Sequence, residues 1–117
     1  MLNDKRLIIA VDFDGTLCDF GFPSTLDGKP VVGMIELVKE LKRQGHYMIL
    51  WTCREGEKLE DAKRFCELHG LEFDSYNENS PMSIEMYGES PRKVHADIYI
   101  DDKVVDYYTL KRLVIGY

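Results

Sequence analysis

The chain has 117 residues, of which 44% are hydrophobic and 31% charged, and its formal net charge at pH 7 is −6. This length is typical of one domain, so we expect residues 1–117 to form a single domain around a hydrophobic core. The acidic charge disfavours binding to nucleic acid or to anionic membranes. Apolar runs far shorter than a bilayer span and three cysteines without Cys-x-x-Cys spacing predict a soluble, cytoplasmic protein without disulfides or a thiolate zinc site.

Apolar runs and amphipathic segments alternate along the first half of the chain. Residues 7–11 form an unbroken apolar run, which is typical of a strand buried on both faces of a parallel sheet. Residues 17–30 contain Gly, Pro and an Asp-Gly pair, and predict a flap or hairpin. Helical spacing of apolar side chains predicts a helix over residues 31–43, and residues 47–51 predict a second buried strand.

The same alternation continues less clearly in the second half. Residues 59–69 predict a second helix, residues 72–76 a short strand and residues 96–100 another strand. The polar stretch 77–81 has no assignment, and the tail 104–117 fits a helix, a strand or both. Strands separated by helices predict an α/β fold, a Rossmann-like three-layer sandwich with a mainly parallel central sheet.

Polar residues follow the predicted strands at the point where each strand ends. They are Asp12 and Asp14, Thr52, and Asp101 with Asp102. Open parallel sheets bind ligands beyond the carboxyl ends of their strands. Two carboxylates 4 Å apart repel by on the order of 4 kcal/mol at an effective dielectric near 20, so a cation is expected among them. Oxygen ligands without histidine or thiolate favour Mg2+, which in turn suggests phosphate chemistry.

Three of these strand ends resemble motifs of the haloacid dehalogenase-like (HAD) phosphohydrolases. Residues 7–17, with the sequence LIIAVDFDGTL, match the first motif at its defining positions. Asp-x-Asp-Gly-Thr is expected by chance in roughly one chain in a thousand of this length. The run 47–52 resembles the second motif, Lys93 the third, and the run 98–102 with its paired acids the fourth. The resemblance spans residues 7–102.

This resemblance implies a two-step phosphatase. Asp12 would attack phosphorus and form an aspartyl phosphate. Asp14 would protonate the leaving oxygen and then deprotonate the hydrolytic water, which favours a phosphatase over a dehalogenase. Mg2+ would be held by Asp12, Asp101 and Asp102 together with Asp14 through its carbonyl.

The resemblance also implies groups that contact the substrate. Thr52 would donate its hydroxyl to a phosphoryl oxygen, and Lys93 would neutralise the nucleophile and the phosphate. Lys103, beside the acid pair, is the alternative catalytic lysine. Arg54 either contacts the substrate or braces its loop, and Gly15 permits a tight turn beside the phosphate.

Many relatives insert a cap domain after the first motif or after the second helix. Neither interval in this sequence is long enough to hold such a domain, so the resemblance implies a capless member. Its open site would accept large substrates or be covered by a second copy in a homo-oligomer, with residues 18–30 as the local lid. The expected substrate is a small phosphate ester, and the resemblance slightly favours a nucleotide. Asn77 and Asn79 could hydrogen-bond a substrate, although loop asparagines usually stabilise turns.

Two other functions fit the same pattern of residues. A receiver-like phosphoacceptor module also places acids, a Thr and a Lys around Mg2+, although its acceptor aspartate ends a central strand rather than the first one. A catalytically idle scaffold would keep the fold without turnover. A long-lived aspartyl phosphate would favour the receiver-like module, because an acid/base two residues from the nucleophile hastens hydrolysis.

Overall fold

The computed structural model describes residues 6–19, 28–88 and 94–102. In chain order the elements are β1 (Ile8–Val11), β2 (Cys18–Asp19), β3 (Lys29–Pro30), α1 (Val32–Arg43), β4 (Tyr47–Leu50), α2 (Gly56–Leu68), β5 (Ser75–Tyr76), α3 (Pro81–Tyr87) and β6 (Ile98–Ile100).

The central sheet has four strands in the order β5-β4-β1-β6, and every neighbouring pair is parallel. Ile8 lies opposite Tyr47 and Val11 opposite Leu50, while Val11 lies opposite Ile100 on its other side. The two unbroken apolar runs therefore form the two inner strands, as expected for strands covered on both faces. The predicted α/β fold, a Rossmann-like sandwich with a parallel central sheet, is confirmed.

Alternate side chains of the inner strands face opposite sides of the sheet. Ile9 and Val11 belong to one core cluster and Ala10 to another, all with no exposed surface. The first cluster also takes in Ile35 and Val38 of α1. Burying such side chains contributes roughly 1.5–3 kcal/mol each. The remaining buried members of the first cluster include Phe13, Leu17, Met48, Leu50, Ala62, Phe65, Cys66 and Leu71.

Element boundaries differ modestly from the predicted ones. The second helix begins at Gly56, three residues before the predicted start. The sequence pattern did not reveal this first turn because the turn is exposed and carries no apolar repeat. The predicted strand 72–76 forms a ladder only over Ser75–Tyr76. At the two ends of the predicted flap, β2 and β3 pair as antiparallel strands. Residues 20–27 between them, which make up most of the predicted lid, lie outside the described residues, as does the tail from residue 103.

Helix α3 begins in the polar stretch that had no assignment. The Ser80 hydroxyl accepts a hydrogen bond from the Ser83 backbone N–H at 3.2 Å, and Pro81 occupies the first turn. A serine N-cap followed by proline is a helix-start signal. That signal was present in the sequence, but seven residues are too few to show helical periodicity. Among the helices described, none has the length and apolarity to cross a membrane.

Candidate active site

Asp12 follows β1 directly and is tied to β6 through backbone and side-chain contacts. Its backbone N–H donates to the Ile100 carbonyl at 2.9 Å. The Thr16 hydroxyl donates to Asp12 Oδ2 at 3.4 Å and accepts from the Asp102 backbone N–H at 3.1 Å. The buried Thr16 hydroxyl therefore joins the ends of two neighbouring strands. Sequence reasoning gave it no role, although it lies inside the Asp-Gly-Thr motif.

The turn after Asp12 brings the backbone close to the acid pair of β6. The Phe13 carbonyl accepts hydrogen bonds from the backbone N–H groups of residues 16–18. Gly15 has a φ of +84°, in the left-handed region that favours glycine, and a Cβ there would lie 2.3 Å from Asp102 Oδ2. Gly15 thus allows the Asp102 carboxylate to lie against the turn.

Three predicted site carboxylates meet at this edge of the sheet. Asp12, Asp101 and Asp102 each place one carboxylate oxygen within 4.8 Å of the others. Burial, and after it the negative charges of Asp101, Asp102 and Asp14, together raise the pKa of Asp12 to about 6, against a lowering contribution from the Phe13 backbone hydrogen bond. The cluster is therefore electrostatically costly as it stands.

This donor set fits a magnesium ion. The three groups are hard carboxylate oxygens, which Mg2+ prefers over nitrogen or sulfur ligands. Two oxygens bound to one Mg2+ at about 2.1 Å lie at most about 4.2 Å apart, so small side-chain adjustments would let the three carboxylates share one ion, with water or substrate as its other ligands. A divalent cation would also offset the repulsion that raises the pKa of Asp12.

Asp14 lies at the same edge, but its carboxylate faces Arg54 rather than the cluster of three. Arg54 Nε donates to Asp14 Oδ2 at 2.9 Å and Arg54 Nη2 donates to Asp14 Oδ1 at 2.7 Å. The Arg54 side chain is 5% exposed and that of Asp14 is 41% exposed. The structure therefore places Arg54, predicted as a substrate contact, on the second aspartate of the first motif.

Thr52 follows β4 and is fixed by a residue from the loop after β5. The Thr52 backbone N–H donates to Asn77 Oδ1 at 2.7 Å, and the Asn77 backbone N–H donates to the Leu50 carbonyl at 2.8 Å. The Thr52 hydroxyl accepts from the Arg54 backbone N–H at 3.1 Å. Asn77 has a φ of +56°, which asparagine tolerates better than most residues. Asn77 thus supports the strand end that carries Thr52.

Of the remaining predicted site residues, Asn79 lies within the described ranges and the two candidate lysines do not. Asn79 Oδ1 accepts a hydrogen bond from the His95 backbone N–H at 2.5 Å, so it anchors the segment that leads into β6. Lys93 and Lys103, the two candidate catalytic lysines, both lie outside the described residues. The choice between them stays a prediction.

Comparisons with known proteins place the chain in a family. No family model and no curated protein matches it. Among solved structures it is similar to a conserved protein coded by a locus from Bacteroides thetaiotaomicron, with 34% identity and a TM-score of 0.73. The match covers 96% of this chain and 92% of that one. The chain belongs to the family of this conserved Bacteroides protein. The similarity to this family extends over nearly the whole of both chains rather than over one motif.

A more distant similarity concerns the fold alone. A chain in the structure of a Pnkp1/Rnl/Hen1 complex aligns with 17% identity and a TM-score of 0.51. The alignment covers 98% of this chain but only 38% of that longer one.

Proposed function

We propose that the protein is a magnesium-dependent phosphohydrolase of the HAD-like class that cleaves phosphate monoesters. The observation that carries this proposal is the meeting of Asp12, Asp101 and Asp102 at the carboxyl edge of the sheet. Asp14 lies two positions beyond Asp12, and Thr52 follows the neighbouring strand β4. Each of these residues can take a role in phosphoryl transfer from the position that it occupies at this edge.

Asp12 is the nucleophile in this proposal. An oxygen of its carboxylate forms a bond to phosphorus while the bond from phosphorus to the ester oxygen breaks, giving an aspartyl phosphate and an alcohol. The Thr16 hydroxyl and the Phe13 backbone both hydrogen-bond the carboxylate and hold it at the end of β1. Asp12, Asp101 and Asp102 would hold Mg2+, which when bound offsets negative charge on the phosphoryl group.

Asp14 is the general acid and base. It gives a proton to the leaving oxygen in the first step and takes one from the attacking water in the second. The water breaks the aspartyl phosphate, which restores the carboxylate of Asp12 and releases inorganic phosphate. Its side chain is partly exposed at the site edge, where an ester oxygen or a water can reach it.

Thr52 is suited to contact a phosphoryl oxygen. Its hydroxyl oxygen already accepts the Arg54 backbone N–H, so the hydroxyl proton remains available for donation. Lys93 supplies the positive charge that the resemblance implies at this site. The substrate is a nucleotide or another small phosphate ester. All three cysteines are free thiols, which favours a cytoplasmic location.

The test is hydrolysis of a panel of phosphate esters, including nucleoside monophosphates and sugar phosphates, with Mg2+ or with a chelator. We expect turnover that requires Mg2+ and falls at least about a thousandfold in Asp12→Asn. Glu60→Gln, which removes an exposed carboxylate paired with Lys63 on α2, is the matched control and should keep full activity.

Other results would assign the alternative functions. A folded native protein that turns over none of these esters with Mg2+ would refute the phosphohydrolase. If it then forms a long-lived aspartyl phosphate from a small phosphodonor, the receiver-like function holds. If it forms none, the protein is a scaffold.

A further inference from the structure

Arg54 is a buried cation held by several contacts within the protein. Two of its nitrogens donate to the two oxygens of Asp14, and Nη1 donates to the Lys58 carbonyl at 3.1 Å. Its guanidinium carbon lies 5.1 Å from the centroid of the Phe13 ring, which has no exposed surface. Hydrogen bonding to Asp14 raises the pKa of Arg54. The guanidinium is therefore held from several directions and is not presented to a ligand.

The geometry of this pair leaves part of the Asp14 carboxylate open to a ligand. Each carboxylate oxygen has two lone pairs, and the fork of Arg54 uses one on each oxygen. The two parallel bonds fix the plane of the carboxylate and the rotamer of the side chain. Because 41% of the Asp14 side chain is exposed, the remaining lone pairs can meet a substrate oxygen.

We propose that Arg54 is a positioning residue that holds Asp14 for proton transfer to the leaving oxygen. This inference rests on the proposed phosphohydrolase function. An alkyl alcohol is a poor leaving group and needs a proton as the bond to phosphorus breaks, whereas a nitrophenol leaves without one. A fixed acid is of use only for the first kind of ester.

Two other roles for Arg54 make different predictions. If Arg54 binds the phosphate, its loss weakens binding of every ester alike and raises KM. If Arg54 only joins the loop after β4 to the turn after β1, its loss lowers the activity on every ester by the fraction of protein that misfolds. Neither role distinguishes one leaving group from another.

The decisive experiment measures kcat/KM for an alkyl ester, a nucleoside 5′-monophosphate, and for an aryl ester, p-nitrophenyl phosphate. This constant reports the step in which the alcohol leaves. We expect Arg54→Lys, which keeps the charge but loses the fork, to lower kcat/KM for the alkyl ester about a hundredfold and for the aryl ester less than tenfold. The ratio of the two constants is independent of how much of the variant is folded.

Two further variants complete the test. Asp14→Asn should show the same selective loss, and Arg54→Lys combined with Asp14→Asn should be no worse than Asp14→Asn alone, because the two residues act as a unit. Arg64→Lys changes an exposed arginine that pairs with Asp61 and should leave both constants unchanged. An equal loss on both esters would overturn the positioning role, and a native protein without turnover would overturn the phosphohydrolase as well.

Discussion

The two edges of the central sheet both carry aspartates but use them in opposite ways. At the amino edge, Asp74 accepts hydrogen bonds from the Met48 backbone N–H at 2.7 Å and from the Lys42 ammonium at 2.6 Å. Asp97 accepts from the Ile8 backbone N–H at 2.8 Å. These carboxylates accept the N–H groups of the second residue of β4 and the first residue of β1, so their charge stabilises the fold.

At the carboxyl edge, the nearest neighbours of a carboxylate include other carboxylates. Asp12, Asp101 and Asp102 lie within 4.8 Å of one another, and burial with like charge raises the pKa of Asp12 to about 6. The same residue type therefore stabilises one edge of the sheet and destabilises the other. Unfavourable electrostatic interactions that are concentrated at one edge of an otherwise well-packed fold are typical of a ligand site.

Loss of a carboxylate at the amino edge should have the largest effect on stability. Asp74→Ala leaves the N–H of the fully buried Met48 without its partner and removes the ion pair with Lys42. We expect the free energy of unfolding to fall by about 2 kcal/mol, measured by urea denaturation. Asp74→Asn keeps an acceptor and should lose about half as much. A change below about 0.5 kcal/mol in Asp74→Ala would show that this edge is not stabilised by its acids.

Loss of a carboxylate at the carboxyl edge should have the opposite sign. A rise in the pKa of Asp12 from 3.8 to about 6 corresponds to at most about 3 kcal/mol, which solvent screening reduces to about 1–2 kcal/mol. Asp12→Asn removes this cost, so at pH 7.5 with chelator we expect it to be more stable than the native protein by about that amount.

The pH dependence of the stability gained in Asp12→Asn shows whether the ionised Asp12 carboxylate is its cause. Because the folded pKa of Asp12 exceeds the unfolded value, folding is favoured by protonation, and this contribution is lost as the pH rises through about 6. The gain of Asp12→Asn should therefore nearly vanish below about pH 4. Mg2+ should raise the melting temperature of the native protein more than that of the variant. A variant less stable than the native protein at pH 7.5 would contradict the repulsion.

Much of this arrangement could be predicted from sequence because it depends on local patterns. The unbroken apolar runs at 7–11 and 47–51 identified the inner strands, and the polar residues after them, Asp12 and Thr52, marked the edge that carries the site. The contact between Asp14 and Arg54 could not be predicted, because it joins residues 40 positions apart and requires β1 and β4 to be neighbours. An arginine next to a site has the same appearance in sequence whether it binds a substrate or another side chain.

At the carboxyl edge, Asn77 accepts a backbone N–H of a strand end with its side-chain oxygen, as Asp74 does at the amino edge, but its side chain is uncharged. Its side-chain oxygen accepts the Thr52 backbone N–H, and its φ of +56° places that oxygen under the strand end. Asn77→Gly keeps the backbone freedom but loses the acceptor, and we expect a loss of about 1 kcal/mol in the free energy of unfolding. Asn77→Ala adds the cost of a left-handed backbone and should lose about 1 kcal/mol more.

Asn77→Asp separates the hydrogen bond from the charge at this edge. Aspartate keeps both the acceptor and the tolerance for a left-handed backbone, so at the amino edge such a residue would stabilise the strand end as Asp74 does. At the carboxyl edge, where β4 lies between Asn77 and Asp12, its added charge should instead cost a few tenths of a kcal/mol at pH 7.5 with chelator, and Mg2+ should reduce that cost. Urea denaturation with and without Mg2+ measures both effects. A more stable Asn77→Asp would mean that hydrogen bonding, rather than like charge, governs the carboxyl edge.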